Sequence, residues 1–392
     1  MLSSSNRIYF KGLNELRAFA ALGVIWHHIE LYKNRDGIPS LYHTSIRGLI
    51  SGLGHNGVNL FFVLSGFLIT FLLLIENEKS GTVHVKNFYI RRILRIWPLY
   101  YLIVLLSLIV VPAIANSYEI FKNETYYYSL IQQLPDHFST KLALFLFILP
   151  NFVLLLGFKP VVGASQSWSI GVEEQFYYLW PWVMRKFRKR TIILICLIWP
   201  LKLLLVWSAH FAGAAWHLPA LKFFSKWLVN FQIELMSLGG LGAIFLHNYR
   251  QKMAALMSDF RIKLFILAGI AVLLNVHFFQ SHFVLGFFFC LLILSATTDG
   301  GINISNSVLN YLGKISYGLY MYHPVVMFMI FPLIHSMGIS NIYFYNIFVY
   351  AAILLVTVLV SHLSFRYFES YFINLKDKFA IVKSTSSYQN KV

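Results

Sequence analysis

Arg17 and, eleven residues on, His28 sit in an otherwise apolar stretch that runs from Asn14 to Glu30. Eleven helical residues make about three turns and ~16 Å of rise, so on a helix the two side chains fall almost on one stripe. Ionisable groups in an apolar span are costly and usually face a protein interior or a wet cavity. Histidine exchanges protons near neutral pH, which makes His28 a candidate general base with Arg17 as a cation on the same face. Without chemistry, the same pair would be a snorkelling arginine and a histidine bonded to a neighbouring helix. His27 points about 100° away and is expected to be structural.

Three further stretches bring chemistry-bearing residues together. Between Phe88 and Pro98, Arg92 and Arg95 are three apart and share a helix face, with Arg91 beside them. Such a pair offers two planar donor forks to phosphate oxygens, or anchors a span to lipid headgroups. From Ser165 to Pro181 the chain carries Trp168, Glu173 and Glu174. Adjacent helical residues diverge by about 100°, so one carboxylate at most faces His28. Glu173 is the expected one, where it would fix the imidazole tautomer. Acids at a helix start also complement its dipole, and Ser167 or Ser169 would serve as the cap. From Ile315 to Pro324, Tyr320 and His323 precede a proline that removes a backbone hydrogen bond and kinks the helix. No histidine spacing suggests a metal site, and Cys196 and Cys290 fall in apolar runs as core filler.

The elements that must position these groups are transmembrane helices. The chain has 392 residues, 58% hydrophobic and 12% charged, too apolar for a soluble domain of this length. No cleavable leader pattern precedes the first apolar stretch, so the first helix is expected to be retained as a working part. The expected fold is all-α and polytopic, with about ten spans: Leu13 to Leu31, Gly57 to Ile75, Pro98 to Ala115, Ile170 to Met184, Thr191 to Ser208, Leu228 to His247, Leu264 to Phe279, Phe283 to Thr298, Ile315 to His335 and Tyr343 to Phe365. Tyr32 to Asn56, rich in glycine, reads as an extracytoplasmic loop. Leu142 to Phe158, broken by Pro150-Asn151, reads as re-entrant or interfacial. This parity leaves both termini in the cytoplasm and puts 21 of the 32 basic residues inside against 8 outside, as the positive-inside rule requires. Residues 1–12 would be a cytoplasmic N-terminus, 13–371 the membrane domain and 372–392 a flexible cytoplasmic tail. The sequon Asn123-Glu-Thr125 falls in an assigned outer loop.

Taken in order, these stretches resemble acyltransferase family 3, the integral membrane proteins that include O-antigen and exopolysaccharide acetylases. The resemblance rests on Leu16-Arg17 to His28, Gly57 to Phe67 (with Ser65-Gly66), Arg91 to Pro98, Ser167 to Phe176 and Ser316 to Pro324, five motifs in register. Asn14 and Asn59 stand where the family often has Asp, which leaves Glu15 as a substitute charge partner for Arg17. The resemblance implies transfer of an acyl group, most often acetyl, from cytoplasmic acyl-CoA to a hydroxyl of an extracytoplasmic or lipid-linked glycan, at a bacterial plasma membrane. His28 would be general base or acyl carrier and Glu173 its orienter. Arg17, Arg91, Arg92 and Arg95 would meet the donor phosphates, with Ser65, Trp168, Glu174, Tyr320 and His323 as substrate or support residues. No metal is implied. The rival readings are a transporter or flippase for a glycan or lipid-linked sugar, and acyl transfer to a non-sugar acceptor.

Overall fold

Long apolar runs can satisfy their backbone groups in lipid only as helices, and among the described residues every regular element is helical apart from one two-residue strand pairing. The computed structural model describes residues 7–122, 125–187, 190–275 and 282–384. In order come α1 (Leu13–Arg35), α2 (Arg47–Ser80), α3 (Val85–Leu105), a π turn (Leu106–Val110) and α4 (Val111–Ser117). The short helices α5 (Tyr126–Gln132), α6 (Phe138–Leu146) and α7 (Asn151–Leu155) follow, then α8 (Trp168–Lys186), α9 (Thr191–Ala215), α10 (Pro219–Asn230), α11 (Ile233–Asn248), α12 (Arg250–Ser258) and α13 (Phe260–Asn275). The chain continues through α14 (His282–Thr297), α15 (Ser307–Lys314), α16 (Ser316–His335) and α17 (Ile342–Ser364), and a second π turn (Phe365–Glu369) leads into α18 (Ser370–Lys376).

Among the described residues six helical stretches are long and apolar enough to cross a membrane: Arg47–Ser80, Val85–Ser117, Thr191–Ala215, Pro219–Asn248, Ser316–His335 and Ile342–Phe379. The protein is an integral membrane protein. The segment around Pro150-Asn151 is two short helices, α6 and α7, with Ile148 at φ 57° between them, and not one continuous span.

The centre is α2, packed against α1 and α11. A Cβ at Gly66 would collide with Met236 O of α11, and one at Gly239 with Val63 O, so the two backbones touch where neither has a side chain. The same use of glycine corrects the expected loop from Tyr32 to Asn56. Helix α1 runs on to Arg35 and α2 begins at Arg47, through Gly48, Gly52 and Gly54. A Cβ at Gly54 would enter the ring of His27, so this glycine is a packing surface rather than a turn.

The expected tail is corrected as well. Residues 370–376 are helix α18, packed on α3, and Lys376 is buried. Beyond it Lys383–Ser384 pairs in parallel with Arg7–Ile8, which ties the two ends of the described chain together. Residues 1–6, 385–392, the sequon positions 123 and 124, Arg188 and Lys189, and the end of the expected 264–279 span lie outside the described residues.

Candidate functional site

The stripe expected on α1 exists. Phe19 and Trp26, on the other side of the helix, are exposed, while Arg17 and His28 each line an internal cavity. The two cavities are different ones.

Arg17, Arg92 and Arg95 converge on a cavity of about 110 Å³ that is also lined by Phe61 and Ser65 of α2, Glu173 and Tyr177 of α8, and Tyr317 and Tyr320 of α16. The i,i+3 spacing aims Arg92 and Arg95 of α3 the same way. The guanidinium of Arg92 lies over the rings of Phe88 (5.6 Å) and Tyr177 (5.8 Å), and its buried Nε has no hydrogen-bond partner. Arg17 Nη1 donates to Asn14 Oδ1 at 3.4 Å. Glu15 does not pair with Arg17: its Oε1 accepts from Asn310 of α15 at 3.2 Å. Asn59, at the other Asp position, meets His282 Nδ1 at 3.3 Å.

Arg91 leaves this group. It points about 100° from Arg92, donates through Nη2 to Glu76 Oε2 (2.6 Å) and through Nη1 to Phe379 O (2.9 Å), and lines a cavity of about 20 Å³ that it shares with Arg92 but not with Arg17 or Arg95. Lys376, which sequence reasoning assigned to the tail, lines a small cavity of about 40 Å³ together with Arg17, Arg92 and Arg95. Nothing in the local sequence signals it, because α18 reaches the arginines only after the rest of the chain has been threaded.

Glu173 belongs to the arginine cavity. It accepts from Ser65 Oγ (2.9 Å) and Tyr177 OH (2.9 Å), and it makes no hydrogen bond to His28 among the described residues. The expected pairing of Glu173 with His28 is therefore not made: the carboxylate lines the cavity of Arg17 and not that of His28. Glu174 accepts from Trp97 Nε1 at 3.4 Å through Oε2, and its buried Oε1 has no partner.

His28 is held instead by His323, whose Nε2 lies 2.9 Å from His28 Nδ1, with the rings stacked at 4.9 Å. His323 is fully buried, and its Nδ1 meets Leu319 O at 3.2 Å. A carbonyl can only accept, so that Nδ1 carries the hydrogen and Nε2 of the neutral ring is a lone pair. His28 Nδ1–H must then donate to it, which leaves His28 Nε2 unprotonated, the state of a base. Pro324, without an N–H, removes one backbone hydrogen bond from α16 beside this pair, although the helix runs on through it to His335. His27, as expected, is structural, with Nδ1 between Ile50 O (3.2 Å) and Tyr42 OH (2.9 Å).

His28 opens into a second cavity, of about 230 Å³, lined also by Tyr32, Arg35, Tyr127, Gln166, Trp168 and Met327. A hydrogen-bonded partition separates it from the arginines: Tyr320 OH bonds Ser169 Oγ and Gln166 O, each at 2.8 Å. Tyr320 and Ser169 face the arginine cavity, Gln166 and Trp168 the histidine cavity. Arg35 was counted as a loop charge, although its seven-residue spacing from His28 puts it on the same stripe. At the end of α1, burial pushes the Asp36 carboxyl up to about 6 while Tyr126 N–H donates to its Oδ1 at 3.1 Å.

The comparisons with known proteins bear on the family of the chain. A family model described as an acyltransferase domain matches residues 10–366. The O-acetyltransferase OatA of Staphylococcus aureus is 26% identical over 401 residues, covering 92% of this chain and 57% of the relative. A putative O-acetyltransferase of the same species is 24% identical over 408 residues, 93% of this chain and 57% of the relative. The peptidoglycan O-acetyltransferase OatA of Listeria monocytogenes is 29% identical over 190 residues, 47% of this chain and 25% of the relative. The chain thus spans between a quarter and somewhat over half the length of these relatives. No solved structure matches it. With the motifs in place and the match running through almost every helix, the chain belongs to acyltransferase family 3.

Proposed function

We propose that this protein is a membrane O-acyltransferase that moves an acyl group, in the simplest case acetyl, from acyl-CoA on the cytoplasmic side to a hydroxyl of a glycan on the other. The observation that carries the reading is that Arg17 and His28, on one stripe of one helix, open into two different cavities. One is cationic and suited to phosphates; the other holds a base with a free nitrogen. In the proposed topology ten spans cross a bacterial plasma membrane, both termini are cytoplasmic and the arginine cavity faces inward. The excess of inside basic residues supports that orientation. The relatives' names supply the acetyl group and, from peptidoglycan, the glycan class of acceptor.

In the proposed reaction the donor's phosphates lie against Arg92 and Arg95, and the thioester arm passes Arg17 toward the Tyr320–Ser169 partition. There the acceptor oxygen attacks the thioester carbonyl as His28 Nε2 takes its proton. The C–S bond breaks, and the leaving thiolate takes that proton from the imidazolium. His323 holds the ring through Nδ1 and stabilises the imidazolium. Glu173, bonded to Ser65 and Tyr177, offsets charge among the arginines. The test is His28→Ala in proteoliposomes with acetyl-CoA and a glycan acceptor. A loss of about 10²–10⁴ in turnover is expected with the protein folded. A folded variant that still acetylates at the normal rate would remove His28 from the chemistry.

A further inference from the structure

The histidine cavity carries two features that the transfer itself does not use. Gln166, 2% exposed, donates through Nε2 to Gly163 O and Met321 O, each at 2.8 Å, which fixes the orientation of its amide. Its Oε1 is buried with no hydrogen-bond partner. A buried acceptor left unpaired is costly, and this one belongs to a residue lining the cavity that holds His28. A ligand hydroxyl is the donor it lacks.

The second feature is Arg35, at the other end of the same cavity. Seven residues after His28, it is ~10 Å further along α1 and about 20° from the same stripe. Its guanidinium lies over the ring of Tyr126 at 4.8 Å, hydrogen-bonds the side chain of Tyr127 and makes no ion pair among the described residues, so part of its donor fork is left for a ligand. The adjacent carboxyl of Asp36 is engaged by Tyr126 N–H, and Lys33 is paired with Glu30 at 2.7 Å. The wall between imidazole and guanidinium is aromatic: Tyr32 stacks on Tyr127 at 3.7 Å and on Phe331 at 4.1 Å.

From this layout we infer that the acceptor is an anionic saccharide, whose acylated hydroxyl meets His28, whose second hydroxyl meets Gln166 Oε1, and whose carboxylate or phosphate meets Arg35. The inference rests on the acyltransferase reading and adds the charge of the acceptor to it. The span between His28 and Arg35 fits a sugar ring with its acidic substituent, or two rings. An arginine fork holds such a group in a fixed plane, so it sets which hydroxyl reaches the base.

The experiment uses full-length protein in proteoliposomes with acetyl-CoA and three probes: a uronic-acid disaccharide, its uronamide and the corresponding neutral hexose disaccharide. Wild type should acetylate the uronate with a kcat/KM about tenfold or more above the uronamide. Arg35→Gln should bring that ratio close to one, and Arg35→Lys should restore part of it. Gln166→Leu should raise KM for the uronate while leaving KM for acetyl-CoA in place. A wild-type ratio near one, or equal loss on all three probes in Arg35→Gln, overturns the inference. So does an Arg35→Gln effect seen only when the vesicles contain phosphatidylglycerol, since Arg35 would then be reading a lipid phosphate. His28-dependent acetyl-CoA turnover with none of the probes acetylated overturns the acceptor class alone, whereas turnover independent of His28 overturns the acyltransfer reading beneath it.

Discussion

Replacing His323 by Phe keeps an aromatic ring in the core of α16 but removes the lone pair that accepts from His28 Nδ1 at 2.9 Å. His28 Nδ1–H would then be a donor without a partner, at a cost of about 1–3 kcal/mol. The ring avoids that cost by moving its hydrogen to Nε2, the nitrogen the proposed reaction uses as base, or by turning. Either way the reactive form is depleted by the same free energy, which at 1.4 kcal/mol per tenfold is a loss of about 5- to 150-fold in kcat. The loss should fall on kcat, with KM for acetyl-CoA unchanged, because the arginine cavity lies beyond the Tyr320–Ser169 partition. His323→Gln should recover part of the rate, since an amide oxygen near the old Nε2 can still accept from His28. Steady-state acetyl transfer in proteoliposomes, with donor and acceptor varied separately, reads both numbers. A folded His323→Phe protein within twofold of wild type, or a Gln variant no better than Phe, would refute the tautomer argument.

Arg92→Ala should raise KM for acetyl-CoA by about tenfold or more, since a charge-assisted contact to phosphate is lost; an unchanged donor dependence would return Arg92 to lipid anchoring. Gly66→Val should lower the apparent melting temperature in detergent and the yield of folded protein, because its Cβ would collide with Met236 O, a backbone atom that cannot swing aside. An unaltered melting curve would show that α2 and α11 separate more easily than their packing implies.

The sequence made the parts of this site legible unevenly, for physical reasons. Helical spacing alone joins Arg17 to His28 and Arg92 to Arg95, because angle and rise along one helix are fixed by backbone geometry. It also separates Arg91 from Arg92, although Arg91 was grouped with them by sign and motif; only the fold reveals Glu76 as its partner. Glu173 shows the opposite limit: helix spacing separates it from Glu174 but does not say which cavity it lines, because that depends on how α8 sits beside α1. His28 and His323 are 295 residues apart, and no local rule pairs them. Gly54 misleads because a residue that breaks helices in water is a contact surface between helices in lipid. Arg35 and Gln166 were within reach, one by extending the α1 stripe two turns, the other as a neighbour of the Ser167–Trp168 motif.

The bonds from Tyr320 to Ser169 and Gln166 also bear on what the cell can tolerate. In the proposed topology the protein is addressed from both faces of an energised membrane, where a continuous wet path past arginines and histidines would dissipate the ion gradient. On the proposed reading, two chambers divided by the Tyr320 hydrogen bonds would let an acyl group pass while the wall as a whole stays sealed, in the manner of an airlock.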